Sequence, residues 1–201
     1  MIYVIPIVLG YLIGSVSFSY ILGKSLKGID VRQYGSGNAG ATNTLRVLGV
    51  GPAIAVLLLD VLKGIVPVLL TMWWFPEHVT MHVVAGVSAI IGHNWPVFLK
   101  FKGGKGIATT IGVVASLCFL PALFAGIIAI ISIVFTRYVS LGSLIFTFLL
   151  PIFLLFTDYE TPIFILSIFI FIFALIRHRS NIVKLLQGRE NKIGAKSAKK
   201  A

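Results

Sequence analysis

Long apolar stretches alternate with short polar ones along the whole chain. Apolar character runs near residues 2–23, 51–75, 79–99, 139–157 and 161–176, each close to the ~20 residues that a helix needs to cross a bilayer. A further run from Ile107 to Thr136 holds 30 uncharged residues. It is too long for one upright span and short for two, and Pro121 at its middle is a plausible turn. Between the runs the chain turns polar: YGSGNAGATNTLR at 34–46, GHNWPVFLKFKGGKG at 92–106, RYVSLGS at 137–143 and RHRSN at 177–181. The pattern predicts an all-α integral membrane protein whose polar loops carry the chemistry.

Composition agrees. The 201 residues are 58% hydrophobic and 11% charged, against roughly 25% charged in a soluble domain. Net charge is +11. In a soluble protein that would suggest nucleic acid; here it reports orientation. The N-terminus has no positive n-region, and its apolar stretch exceeds the roughly 7–15 residues of a signal h-region, so it reads as a retained first span.

Two short spans across 107–136 bring the total to seven, with the N-terminus outside and the C-terminus cytoplasmic. Lys24, Lys27, Arg32, Arg46, Lys100, Lys102, Lys105, Arg137 and the basic residues from Arg177 to Lys200 then lie inside, sixteen of the seventeen Lys and Arg. Glu77, Asp158 and Glu160 lie outside. A single span would put Arg137 and the tail on the far side from the first two basic loops, against the positive-inside rule. Residues 1–187 thus read as a seven-helix membrane domain. Residues 188–201 read as a basic, disordered cytoplasmic tail attracted to anionic lipids, after a short interfacial helix in NIVKLLQ.

The seventeenth basic residue, Lys63, lies within the second span, three residues after Asp60. A charge at mid-membrane costs about 2.5–3.5 kcal/mol on insertion scales, so both side chains should face the protein interior. They serve either as a structural ion pair or as part of a polar cavity.

The topology gathers the polar loops at the inner face. Glycine lets successive backbone N–H groups form a concave anion nest; a cation beside it adds charge, and a helix starting there adds its partial charge. GGKGIATT has all three ingredients, and GSGNAGATNTLR has all but an evident helix start. Gly35-x-Gly37-x-x-Gly40 matches the dinucleotide motif only formally, because that motif needs a preceding strand. GGKG lacks P-loop spacing. Together the loops predict a phosphate site built from Ser36, Gly37, Asn38, Gly40, Thr42, Asn43 and Arg46 with Gly103, Gly104 and Lys105. His178 and Asn181, three apart and expected on one helical face, join it. Ser143 is a helix cap or a ligand hydroxyl. His93 and Asn94 supply orienting hydrogen bonds or chemistry. His78 and His82 have metal-pair spacing but no third ligand nearby, and the lone Cys118 supports neither a disulfide framework nor a metal cluster.

Other chemistries find no support. No carboxylate pair stands on the inner side for acid–base work, no G-x-S-x-G elbow is present, and no His is followed five residues later by Asp. An enzyme here must work by positioning and charge stabilisation. A small anion channel or transporter is the rival reading, and an enzyme acting on another lipid phosphate is a third.

In order and over nearly the whole chain, GSGNAGATNTLR, LLLDVLKG, GHNWPVFLKFKGGKGIAT, SLGS and RHRSNI resemble the acyl-phosphate:glycerol-3-phosphate acyltransferase family, the PlsY type. The resemblance implies a seven-span enzyme of the bacterial inner membrane, active at the cytoplasmic face in phospholipid biosynthesis. It would move a fatty acyl group from acyl phosphate to the 1-hydroxyl of glycerol 3-phosphate, giving lysophosphatidic acid and phosphate. Its partners would be those substrates and membrane lipids, with no cofactor, metal, nucleic acid or obligatory protein partner. On this reading Ser36, the N–H groups of Gly37–Gly40 and Lys105 hold the donor phosphate, while Arg46, Ser143, His178 and Asn181 hold glycerol 3-phosphate. Asp60, Lys63, His93 and Asn94 stand behind them. The proton passes to a substrate phosphate oxygen or to His178, and both routes stay open.

Overall fold

The computed structural model describes residues 3–194, and all regular structure among them is helical. The chain divides into two units, residues 3–113 and 114–194.

In the first unit, α1 (Val4–Ser15) and α2 (Phe18–Lys27) together make the first apolar run, interrupted at Val16–Ser17. Interrupting a helix in an apolar setting strands main-chain carbonyls, each a loss of several kcal/mol if left unpaired. Lys63 answers this one: its Nζ donates to the Val16 carbonyl at 2.7 Å. The ammonium also lies 2.7 Å from Asp60 Oδ1 and 5.7 Å from the centre of the Phe18 ring. Asp60 and Lys63 sit on α4 (Val50–Trp74) and are 1% and 4% exposed, facing inward as their insertion cost requires. The pair therefore stabilises a kink between two helices 47 residues away in sequence.

Small residues set the packing. An added Cβ at Gly10 or Gly14 of α1 would collide with the Ala85 or Ala89 carbonyl of α5 (Val79–Asn94). The backbones thus pack at the close range that small residues permit in membranes. The α4 helix meets α6 (Ile107–Leu117) in the same way, through Gly64 against the Thr109 carbonyl and Gly112 against that of Val61. The short α3 (Ala41–Leu48) packs on α4, and Lys27 Nζ donates to the Val47 carbonyl near its C-terminal end.

The second unit is built from α7 (Phe119–Thr136), α8 (Val139–Leu154), α9 (Thr161–Arg177) and α10 (Arg179–Leu186). Arg137, in the left-handed region at φ 62°, turns the chain from α7 into α8. Ile130, Val134 and Phe135 on α7 are 61%, 68% and 83% exposed. A face so apolar suits lipid, not water.

Among the described residues four helical stretches, Val4–Lys27, Val50–Trp74, Val79–Leu99 and Phe119–Thr136, are long and apolar enough to cross a membrane. A fifth forms if α9 and α10, bent by 64° at His178, count as one; α6 and α8 are shorter apolar helices. The run 107–136 is indeed divided, but at Cys118 and not at the expected Pro121, into helices of 11 and 18 residues. Pro121 is the third residue of α7, where the N–H it lacks would have no intrahelical partner in any case.

The expected tail 188–201 begins with chain that folds back. Ile193 makes two hydrogen bonds with Arg137: its N–H donates to the Arg137 carbonyl, and its carbonyl accepts from the Arg137 guanidinium Nη2, both at 2.8 Å. Lys192 stands 5.5 Å from the centre of the Tyr138 ring. Residues 195–201 of that tail lie outside the described residues.

Removing one partner of the buried pair should be worse than removing both. Lys63→Met strands the Asp60 carboxylate and the Val16 carbonyl and should cost about 3–5 kcal/mol, read as a lower apparent Tm in detergent. The Asp60→Leu/Lys63→Met double variant should recover part of that loss.

Candidate functional site

The first glycine-rich loop, 34–40, is shaped from beneath by one buried amide. Asn43, 1% exposed, accepts from the Ser36 N–H at 2.8 Å and donates through Nδ2 to the carbonyls of Val31 (2.8 Å) and Tyr34 (3.1 Å). Its side chain thereby holds the loop whose N–H groups the sequence assigned to a phosphate. Ser36 and Gly37 are exposed, Asn38 is half-buried, and Gly37 takes φ 75°. Gly40 then caps α3, so the helix start that could not be read from the sequence is there. Thr42 and Asn43 occupy its first turn and the half-buried Arg46 its last.

The second loop hangs from the end of α5. The N–H groups of Gly103 and Gly104 donate to the carbonyls of Asn94 (3.2 Å) and His93 (3.1 Å). No side chain fits at Gly104: a Cβ there would overlap the His93 ring and stand 2.7 Å from the Ala39 carbonyl oxygen. That steric constraint shows the two glycine-rich loops in direct contact. Lys105, half-buried, follows at once, and α6 begins two residues later. Behind the loop the His93 Nδ1 lies 3.8 Å from Asp60 Oδ1, and Asn94 Nδ2 donates to the Ile90 carbonyl at 2.8 Å. His93 and Asn94 thus pack directly against the Lys105 loop, with Asp60 and Lys63 beyond His93. An open groove of about 510 Å³ runs beside both loops, lined by Tyr20, Arg32, Gly37, Lys100, Lys102 and Gly103 among others.

In the second unit Ser143 lies buried on α8, its hydroxyl donating to the Val139 carbonyl at 2.9 Å. His178 and Asn181 do not share one straight helical face, as their spacing suggested: His178 is the hinge between α9 and α10, and Asn181 lies on α10 beyond a 64° bend. His178 is 3% exposed, and its Nδ1 is 3.0 Å from the Ala174 carbonyl. A carbonyl can only accept, so Nδ1 donates and carries a proton. Asn181 Nδ2 donates to Glu190 Oε1 at 2.9 Å. The remote His82 Nε2 is 2.9 Å from the Phe75 carbonyl, just past α4, an end-capping contact.

A sequence model of the family described as "Glycerol-3-phosphate acyltransferase" matches residues 4–188. The chain belongs to the glycerol-3-phosphate acyltransferase family. A relative of that name from Shouchella clausii (strain KSM-K16) is 56% identical over 197 residues, covering 96% of each chain. Crystal structures of PlsY (YgiH), described as an integral membrane glycerol 3-phosphate acyltransferase, share the fold. The glycerol 3-phosphate form matches with a TM-score of 0.91 and 38% identity, covering 96% of both chains. The lysophosphatidic acid form matches with 0.89 and 37%, covering 98% of both. The family resemblance carried by the motifs is therefore correct.

Sequence reasoning on this glycerol-3-phosphate acyltransferase family member missed two features. Glu190, taken as part of a free tail, fixes Asn181. Arg32, read only as an inner-loop cation, forms with Asp30 a part-buried ion pair at 2.7 Å directly before the first glycine loop. Their D-x-R spacing next to GSGN was the available signal. Hydrogen bonds from Arg32 hold the Asp30 carboxyl below the usual aspartate range despite its partial burial, and the same contacts raise the Arg32 pKa.

A depressed folded-state pKa means that the ionised Asp30 favours the fold above its unfolded value of about 3.9 and stops doing so as pH falls through the folded one. Asp30→Asn should therefore unfold more readily than the parent at neutral pH. In thermal unfolding across pH 7 to 3, the gap between the two should close only at the acid end.

Proposed function

We propose that this chain is an acyl-phosphate-dependent glycerol-3-phosphate acyltransferase of the bacterial inner membrane, with seven spans and its site at the cytoplasmic face. The observation that carries the reading is the meeting of two glycine-rich, cation-bearing loops, Ala39 against Gly104, each leading into a helix N-terminus. Such an arrangement supplies main-chain donors and partial positive charge to phosphate. Related structures described as glycerol 3-phosphate and lysophosphatidic acid forms support the acceptor and the product.

The donor is assigned on the motif resemblance, and the loops suit it. Acyl phosphate is already an activated mixed anhydride, so no acyl-enzyme has to form. The glycerol hydroxyl oxygen bonds to the acyl carbonyl carbon, and the bond from that carbon to the phosphate oxygen breaks. Ser36, the N–H groups of Asn38–Gly40 and Lys105 take the charge of the leaving phosphate, while the Gly37 N–H is held by the Tyr34 carbonyl at 3.0 Å and those of Gly103 and Gly104 by the carbonyls of Asn94 and His93; Thr42, Asn43, Gly103 and Gly104 shape the loops that carry these groups. On the motif resemblance alone, Arg46, Ser143, His178 and Asn181 are assigned to the acceptor. The hydroxyl proton goes to a phosphate oxygen or to His178.

Purified protein given labelled glycerol 3-phosphate should form lysophosphatidic acid with acyl phosphate and not with acyl-CoA; the reverse would overturn the donor assignment. Lys105→Ala and Arg46→Ala should each lose about 10²–10³ in kcat while remaining inserted and folded, and near-parent turnover would remove those roles. If His178 takes the proton, His178→Asn should erase a limb of the pH–rate profile near neutrality. An unchanged profile would assign the proton to substrate phosphate.

A further inference from the structure

The Lys105 loop is held in place from outside itself, by one side chain of the preceding polar segment. The second glycine loop is entered through Lys100 and Phe101, both in the left-handed region at φ 55° and 58°. Two consecutive non-glycine residues do not stay there unless their surroundings over-determine the backbone. This double turn returns the chain so that Gly103 and Gly104 reach the carbonyls of Asn94 and His93, and Lys105 comes next.

The flanking carbonyls, Leu99 and Lys102, both accept from Arg32 Nη1 at 3.1 Å. The guanidinium is itself fixed. Its Nε and Nη2 donate to the Asp30 carboxylate at 3.0 and 2.7 Å, and it stands 5.4 Å from the centre of the Tyr20 ring. On the other side, a Cβ at Gly37 would lie 3.3 Å from the Arg32 carbonyl oxygen. One residue thus touches both loops, the first with its main chain and the second with its side chain.

We propose that Arg32 is a positioning residue for the acyl transfer, clamping the strained turn 99–102 so that Lys105 is presented beside the Ser36–Gly40 loop. This rests on the role of Lys105 given above. Lysine cannot replace it: an ammonium on a flexible stem lacks the planar fork that binds a carboxylate on one edge and two carbonyls on the other.

Arg32→Ala and Arg32→Lys should both lower kcat by about 10–10², with apparent Tm in detergent close to the parent for Arg32→Lys. In the Lys105→Ala background, Arg32→Lys should cost nothing further, since a residue acting through Lys105 has nothing left to position. Spin labels at Gln33→Cys and Lys100→Cys, in a Cys118→Ser chain, should give a narrow distance distribution that broadens on Arg32→Lys. Multiplicative losses in the double variant together with an unchanged distribution would overturn the clamp. Near-parent turnover by Lys105→Ala alone would instead remove the role of Lys105, leaving the label distances to decide whether the clamp exists.

Discussion

Where a helix stops away from bulk water, its released main-chain N–H and C=O groups must be satisfied by the protein itself, and this requirement organises the polar residues of the first unit. Lys63 answers the carbonyl opened between α1 and α2. Asn43 answers three main-chain groups of the first glycine loop, and Arg32 two carbonyls of the turn before the second. Each of these three irregular segments therefore has a dedicated polar side chain, and the glycine-rich loops keep a non-helical backbone.

That requirement also decides what could be read from the sequence. The apolar runs and the gathering of basic residues into a few loops are local, so the helices and the loops that matter were legible. The Val16–Ser17 break was not, because nothing at those positions disfavours helix and the group that stabilises the break lies far along the chain. Pro121 was a misleading turn signal: proline marks a boundary only in the interior of a helix, and in the first turn it is tolerated. Likewise the three-residue spacing of His178 and Asn181 implies a shared face only if the helix runs straight between them, and the bend at His178 removes that condition.

The candidate phosphate loops were legible for a different reason. Glycine density, adjacent cations and a following helix are sequence-local features with a direct electrostatic meaning. What holds the loops was hidden, since Arg32 and Asp30 look like any interfacial charges until their partners at Leu99 and Lys102 are seen. The supporting contacts of Glu190 and Arg137 were obscured by composition: a basic, apolar-poor stretch reads as disordered, yet one carboxylate–amide bond and the two bonds between Ile193 and Arg137 return residues 190–193 to the fold.

The two loops use glycine for opposite purposes, and this explains why their motif resembles nucleotide-binding patterns without being one. At Gly37 the need is conformational, a positive φ in an exposed turn whose N–H closes onto the Tyr34 carbonyl. At Gly104 the need is steric, because the His93 ring and the Ala39 carbonyl occupy the space where a Cβ would stand. In a strand–turn–helix unit, one glycine-rich turn meets both needs beside a sheet. Here they are divided between two loops that press together, so the concavity exists only once both are seated and the side chains behind them are in place. Removing a supporting side chain should therefore disturb the geometry of phosphate binding well before it unfolds the helices that carry it.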